Sequence, residues 1–187
     1  MQELSDIIGT QERGGEAAAR EEPAAVSAWR YRLIVMQHHG AVYRAARLLL
    51  RDGTEAEDVV QEAFLRFWQR GAGVRQPREW LMKVARNACL DRLRKSGRLV
   101  SDDGMEIPER GDDRDPAWHF EQRELAARLR RAIDTLTEPQ RSLVVLFDVQ
   151  GMSTDECARI VGINVNQVKV YLHRARRRLR LELEGSE

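Results

Sequence analysis

Cysteine, proline and aromatic residues are all scarce in this chain of 187 residues, with two Cys, five Pro and 6% Phe, Trp and Tyr. Cys89 and Cys157 stand far apart and outside any Cys-x-x-Cys spacing, which excludes a disulfide framework and a zinc finger. Each lies among apolar residues and reads as a small core hydrophobe. No apolar run approaches the roughly 18 residues of a membrane span. The opening stretch MQELSDIIGTQERGGEAAAREEPAA has neither a basic start nor an apolar segment. Neither membrane insertion nor an export signal is expected, and the expected location is cytoplasmic. Phosphate-binding Gly loops, Gly-x-Ser-x-Gly and zinc-protease helix motifs are missing too, so nothing points to an enzyme or to a cofactor. His38 and His39 are adjacent, and neighbouring side chains on a helix point about 100° apart. With no Cys or carboxylate set to complete a site, no metal is expected. A large net charge is also absent, since 31 Lys and Arg face 30 Asp and Glu. The charge is instead segregated along the chain.

Gly and Pro are costly inside helices and mark where they stop, and they divide the sequence cleanly. Residues 1–27, rich in Glu, Ala, Gly and Gln, read as a disordered leader. From 28 to 51 the apolar residues Trp29, Leu33, Met36, Val42, Ala45, Ala46 and Leu49 recur at helical spacing, with Gly40 as a candidate break. Thr54-Glu55-Ala56-Glu57 has the form of a capping box and opens a helix to about Arg70. A third helix is expected from about Arg78 to Ser96, after the short loop bracketed by Gly71, Gly73 and Pro77. Residues 99–115 carry seven acids against two arginines and read as a flexible acidic linker. The second block, 116–187, contains three helix starts in capping chemistry, at Thr137 to Gln140, Ser153 to Glu156 and Asn164 to Gln167. No strand pattern competes. The fold class is all-α: two small helical domains, 28–98 and 116–187, joined by the acidic linker.

The second block ends in the layout of a helix-turn-helix: a short helix, a turn at Gly162-Ile163, and a longer helix with Val165, Val168, Leu172, Ala175 and Leu179 on one stripe. Its other face carries Asn166, Gln167, Lys169, Val170, His173 and Arg174, and between Val165 and Arg180 there are six Lys and Arg and no acid. Amides near the start of a recognition helix reach base edges in the major groove, and cations beside them hold phosphates. The competing reading is a solvated amphipathic helix whose basic end complements its dipole. Positive charge coinciding with the turn and its caps favours DNA binding. In the first block, Glu55, Glu57, Asp58, Gln61 and Glu62 make one acidic face. The segment from Arg66 to Arg98 holds ten basic residues against two acids. Phe67, Trp68 and Trp80 fall on apolar faces and are assigned to core packing rather than base stacking.

The segments AEDVVQEAFLRFWQR (56–70) and PREWLMKVARNACLDRLRKSGR (77–98) resemble the second domain of the sigma-70 family, specifically the extracytoplasmic-function (ECF) sigma factors. LTEPQRSLVVLFDVQGMSTDECARIVGINVNQVKVYLHRARRRL (136–179) resembles that family's fourth domain. The resemblance implies a transcription initiation factor without enzymatic activity. Its implied partners are core RNA polymerase, through the β′ clamp helices and the β flap, promoter DNA, and an anti-sigma factor. It assigns Asp58, Gln61 and Glu62 to polymerase binding, and Arg75, Gln76, Arg86 and Asn87 to the opened minus-ten strand. Asn166, Gln167, Lys169, Val170, His173 and Arg174 are assigned to the minus-thirty-five duplex. The sequence departs from the family pattern at Asn166, Gln167, Val170 and Tyr171, and its loop at 71–77 is short. The rival is a free-standing helix-turn-helix repressor or activator, which has no need of the Asp58, Gln61 and Glu62 face.

Overall fold

The structure, a computed structural model, describes residues 26–98 and 120–184. The expected leader, up to residue 25, the acidic linker and the start of the second block at 116 lie outside the described residues. Helix α1 spans Ala28–Leu50, α2 Gly53–Arg70, α3 Pro77–Lys95 and α4 Phe120–Asp134. The short α5, Gln140–Val144, runs into a π-helical turn at Val145–Val149, and α6 (Thr154–Val161) and α7 (Val165–Glu184) follow. Among the described residues no strand occurs, as the all-α reading requires.

Helix α1 passes through Gly40 without a break. A single interior glycine costs about 1 kcal/mol, which the buried Ile34, Val42, Ala45, Ala46, Leu49 and Leu50 outweigh by packing against α2 and α3. The expected apolar face of its first turns is a misreading. Trp29, Leu33 and Met36 are 70%, 43% and 83% exposed. The sequence writes two stripes on this helix. The one through Trp29, Leu33 and Met36 runs on into Gly40 and Arg44, whereas the one through Ile34 continues in phase to Val42, Ala45 and Leu49. Only the second can stay against a neighbour over the whole length.

The start of α2 is also corrected. Asp52, not Thr54, is its N-cap, and an Asp52 carboxylate oxygen accepts from the Glu55 N–H at 2.9 Å. The helix stops at Gly71, where any Cβ would lie 2.4 Å from the Phe67 carbonyl oxygen. Pro77 opens α3 in its first turn, and Arg92, Arg94 and Lys95 sit in its last, each matching the helix dipole or its missing donors. A helix does start after Thr137, with Pro139 at the N-cap of α5 and no side-chain cap hydrogen bond from it. Phe67 packs edge-on against Trp80, and Tyr31 edge-on against Trp68, so these aromatics do serve packing.

The two blocks do not stand apart. One contiguous apolar cluster runs from Val42, Leu49, Leu81 and Met82 into Ile133, Leu143, Val145 and Leu146. Polar bonds stitch its edges: Arg51 to Asp134 at 2.8 Å, Arg159 bidentate to Glu79 at 2.9 and 2.8 Å, and Arg78 to the Gln150 carbonyl. Both cysteines are buried, and burial pushes the Cys89 thiol up to about 12 and the Cys157 thiol up to about 11.

Candidate nucleic-acid interface

The helix-turn-helix is assembled by local chemistry. Ser153 and Glu156 close a complete capping box at the start of α6, the Ser153 hydroxyl accepting from the Glu156 N–H and the Glu156 carboxylate from the Ser153 N–H. The Ser153 N–H and hydroxyl both donate to the Glu156 carboxylate, which favours its ionised form and holds it below the usual carboxylate range, the backbone bond contributing most. Gly162 ends α6 at φ +81°, a left-handed conformation natural to glycine. The N–H groups of Gly162 and Ile163 both donate to the Ala158 carbonyl, which fixes the turn. Asn164 and Gln167 then form a second reciprocal cap for α7: the Gln167 N–H donates to the Asn164 amide oxygen at 2.8 Å, and the Asn164 N–H to the Gln167 amide oxygen at 3.0 Å.

Val168, Leu172 and Ala175 bury one side of α7, and Asn166, Gln167, Lys169, Val170, His173 and Arg174 are all exposed. The six residues thus share an open surface, although the amide oxygen of Gln167 is committed to its cap and only its N–H₂ group faces outward chemistry. Arg176 belongs elsewhere. It pairs with Asp148 and lies 5.3 Å over the Phe147 ring, tying α7 to the π-helical turn, and the Asp148 hydrogen bond raises its pKa.

In the first block, Asp58 and Gln61 are exposed on α2, while Glu62 is half-buried and pairs with Arg66 and, at 3.3 Å, with Arg92 of α3. Glu55 likewise receives a bidentate contact from Arg98 at 2.8 Å. The acidic and basic surfaces read from the sequence therefore meet in ion pairs along the α2 and α3 edge. Sequence reasoning missed Leu65, which is 55% exposed one turn beyond Gln61 and gives that face an apolar centre. Its signal is the single apolar residue in the otherwise polar outward register 58, 61, 62, 65 and 69.

The four residues assigned to the opened strand are not equivalent. Arg75 and Gln76 are exposed between α2 and α3, and Arg30 donates to the Ala72 and Val74 carbonyls at 2.7 Å each, which holds that short loop. Asn87 is exposed, with its oxygen 3.4 Å from Arg86. Arg86 itself points into the contact with α5, against the expectation of an open position. Its Nε donates to the Ser142 hydroxyl at 2.9 Å, its Nη2 lies 3.5 Å from Glu138, and only 10% of its side chain is exposed. Burial lowers its pKa and Glu138 opposes the shift. Ser142 in turn donates to Glu138 at 2.6 Å.

Among the described residues, no group of three His, Cys, Asp or Glu lies close enough to hold a metal ion, and no helix is long and apolar enough to cross a membrane. His39 stacks on Phe64 at 6.0 Å, and burial followed by the charge of Arg78 lowers the pKa of His38.

Comparison with known proteins identifies the family of the chain. Residues 34–99 match Sigma-70 region 2, and residues 126–179 match Sigma-70, region 4. The ECF RNA polymerase sigma factor SigE of Mycolicibacterium smegmatis is 32% identical over 169 residues; the match covers 87% of this chain and 64% of SigE. SigL of Mycobacterium tuberculosis, also an ECF RNA polymerase sigma factor, is 34% identical over 169 residues, covering 86% of this chain and 93% of SigL. The sigma factor RpoE of Bartonella quintana, crystallised with the anti-sigma factor NepR, superposes with a TM-score of 0.67 at 23% identity, covering 84% of this chain and 99% of RpoE, and supports the fold alone. With both family regions present in order and relatives matched over most of the chain, this protein belongs to the sigma-70 family, in its extracytoplasmic-function group.

Proposed function

We propose that the chain is a cytoplasmic, detachable specificity subunit of bacterial RNA polymerase. It joins core enzyme, recognises two promoter elements and helps to open the DNA between them, with no catalysis of its own. The observation that carries this reading is the pairing, in one chain, of an exposed acid, amide and leucine face on α2 with a capped helix-turn-helix whose outward face is polar and cationic. In this reading Asp58, Gln61 and Leu65 dock on the polymerase clamp, with Glu62 holding α2 to α3 beside them. Asn166, Lys169, Val170, His173 and Arg174 face the major groove of the upstream duplex, where amides address base edges and cations the phosphates. Arg75, Gln76 and Asn87 address an unstacked strand, whose bases present their hydrogen-bonding edges once out of the helix.

Arg86 joins that second group only when α3 separates from α5, because in the structure its guanidinium is spent on Ser142 and Glu138. An inhibitory protein partner of the anti-sigma class fits the same scheme, acting on whichever arrangement of the two blocks it binds. Multiple-round transcription with purified core polymerase and a promoter library tests the proposal: initiation from a defined promoter class that depends on the added chain is the expected result. A chain that binds duplex DNA as a dimer and leaves core polymerase unaltered would establish the repressor reading instead.

A further inference from the structure

Within the outward face of α7 one residue is out of character. Val170 is 48% exposed, apolar and β-branched, so it gives up helix propensity relative to alanine without packing against the protein. It follows the fully buried Val168 by two positions, which turns it about 200° around the helix and opposite the stripe of Val168, Leu172 and Ala175. That is the centre of the open face, with Asn166 one turn before it and His173 and Arg174 one turn after, all exposed. A charged surface whose middle is a methyl-bearing side chain fits a ligand that is anionic at its edges and apolar at one spot.

Resting on the reading of α7 as a duplex-binding helix, we infer that Val170 reads the 5-methyl group of a thymine in the upstream element. Thymine is the base that presents an apolar group in the major groove. The edges of guanine, adenine and cytosine offer acceptors or donors, which valine strips of water without replacing the hydrogen bond. From Asn166 to Val170 the helix rises about 6 Å, and successive base pairs rise about 3.4 Å. The thymine therefore lies within about two base pairs of the base that the Asn166 amide addresses.

The test uses holoenzyme reconstituted from the full chain and bacterial core polymerase. A duplex library randomised in the upstream region gives the preferred element, and each thymine in it is then replaced singly by deoxyuridine, which keeps the pairing and removes only the methyl group. At one position the replacement is expected to weaken binding about fourfold, the equivalent of about 0.8 kcal/mol for one buried carbon group. Val170→Ala is expected to erase the difference between the thymine and deoxyuridine duplexes there. Indifference to every replacement, or a penalty that persists in Val170→Ala, overturns the assignment even while Lys169→Ala and Arg174→Ala still reduce binding. If no upstream element is selected and those two variants bind as the wild type does, the reading of α7 itself falls, and the thymine contact with it.

Discussion

Replacing Glu138 with Gln should loosen the contact between the two blocks without substituting any residue assigned to DNA. Arg86 and Glu138 are 10% and 13% exposed at their side chains, so both are largely out of water. One Glu138 oxygen accepts from Ser142 at 2.6 Å and stands 3.5 Å from Arg86, and the other is buried without a partner. Glutamine keeps the shape but removes the counter-charge, which leaves the Arg86 cation with neutral acceptors only, the Ser142 hydroxyl foremost among them. Breaking a buried pair in this way costs about 3–5 kcal/mol, and the surviving Ser142 bond argues for about 3. The equilibrium between docked and separated blocks then moves by roughly a hundredfold, at about 1.4 kcal/mol per factor of ten.

The assay is energy transfer between dyes on cysteines introduced at Gln69 and Arg177, both exposed and on different blocks. The native thiols, buried and pushed up to about 12 and about 11, do not compete for the label. In a urea titration the transfer signal of Glu138→Gln should fall at lower denaturant than that of the wild type, ahead of the loss of helical circular dichroism. Coincident transfer curves for the two proteins would refute the reasoning, because they would mean that the Arg86 charge is not held by Glu138.

Gln61→Ala combined with Leu65→Ser should weaken binding to core polymerase at least tenfold with little change in the thermal melt, since both side chains are exposed; titration against labelled core enzyme checks it. Lys169→Ala and Arg174→Ala should each reduce the slope of log binding constant against log salt by about one, measured on the upstream duplex. Asn87→Ala should flatten base preference at one position of the downstream element while polymerase binding and the melt are kept; a lower melt with an unchanged base profile would make Asn87 structural. Glu156→Gln should lower the melting temperature at neutral pH. The folded-state pKa of Glu156 is depressed, so the stabilisation is present above its unfolded value of 4.5 and lost as pH falls through the lower folded value. The difference between variant and wild type should therefore close on acidification below that range, as calorimetry at a series of pH values reads directly.

Features that depend on a few consecutive residues were open to inspection in the sequence. The caps at Ser153 and Asn164 close between residues three apart, and Gly162 answers a single backbone requirement, so spacing alone reveals the helix-turn-helix. The same locality misleads where two local answers compete. Thr54 and Asp52 both satisfy cap chemistry before α2, and the choice went to Asp52, whose carboxylate reaches Glu55. On α1, two apolar stripes are equally regular over the first turns, and only the neighbours that α2 and α3 supply decide between them. The role of Arg86 had no local signal at all. Its partners lie 52 and 56 positions away, and nothing around residue 86 distinguishes a cation meant for a phosphate from one meant for a carboxylate. The loop clamp by Arg30, reaching 42 and 44 positions, is illegible for the same reason.

That double use of one cation sets an order on the proposed activity. A guanidinium has a fixed planar fork, and in the docked arrangement two of its three nitrogens are directed at Ser142 and Glu138. In the proposed reading those two nitrogens cannot also hold a phosphate, so Arg86 is withheld from the opened strand while the blocks stay together, even though Asn87 beside it is exposed. The outward face of α7 carries no such restriction, because Asn166, Lys169, Val170, His173 and Arg174 are open in the same arrangement. Any interaction that separates α3 from α5 must outweigh the contact made by Arg86, Ser142 and Glu138, and in doing so it frees the Arg86 guanidinium, which in the proposed reading then joins Arg75 on the opened strand. In the proposed reading, docking of the upstream duplex requires no such separation, whereas engagement of the opened strand by Arg86 as well as by the exposed Arg75, Gln76 and Asn87 does, which ties that part of the second event energetically to the parting of the two blocks.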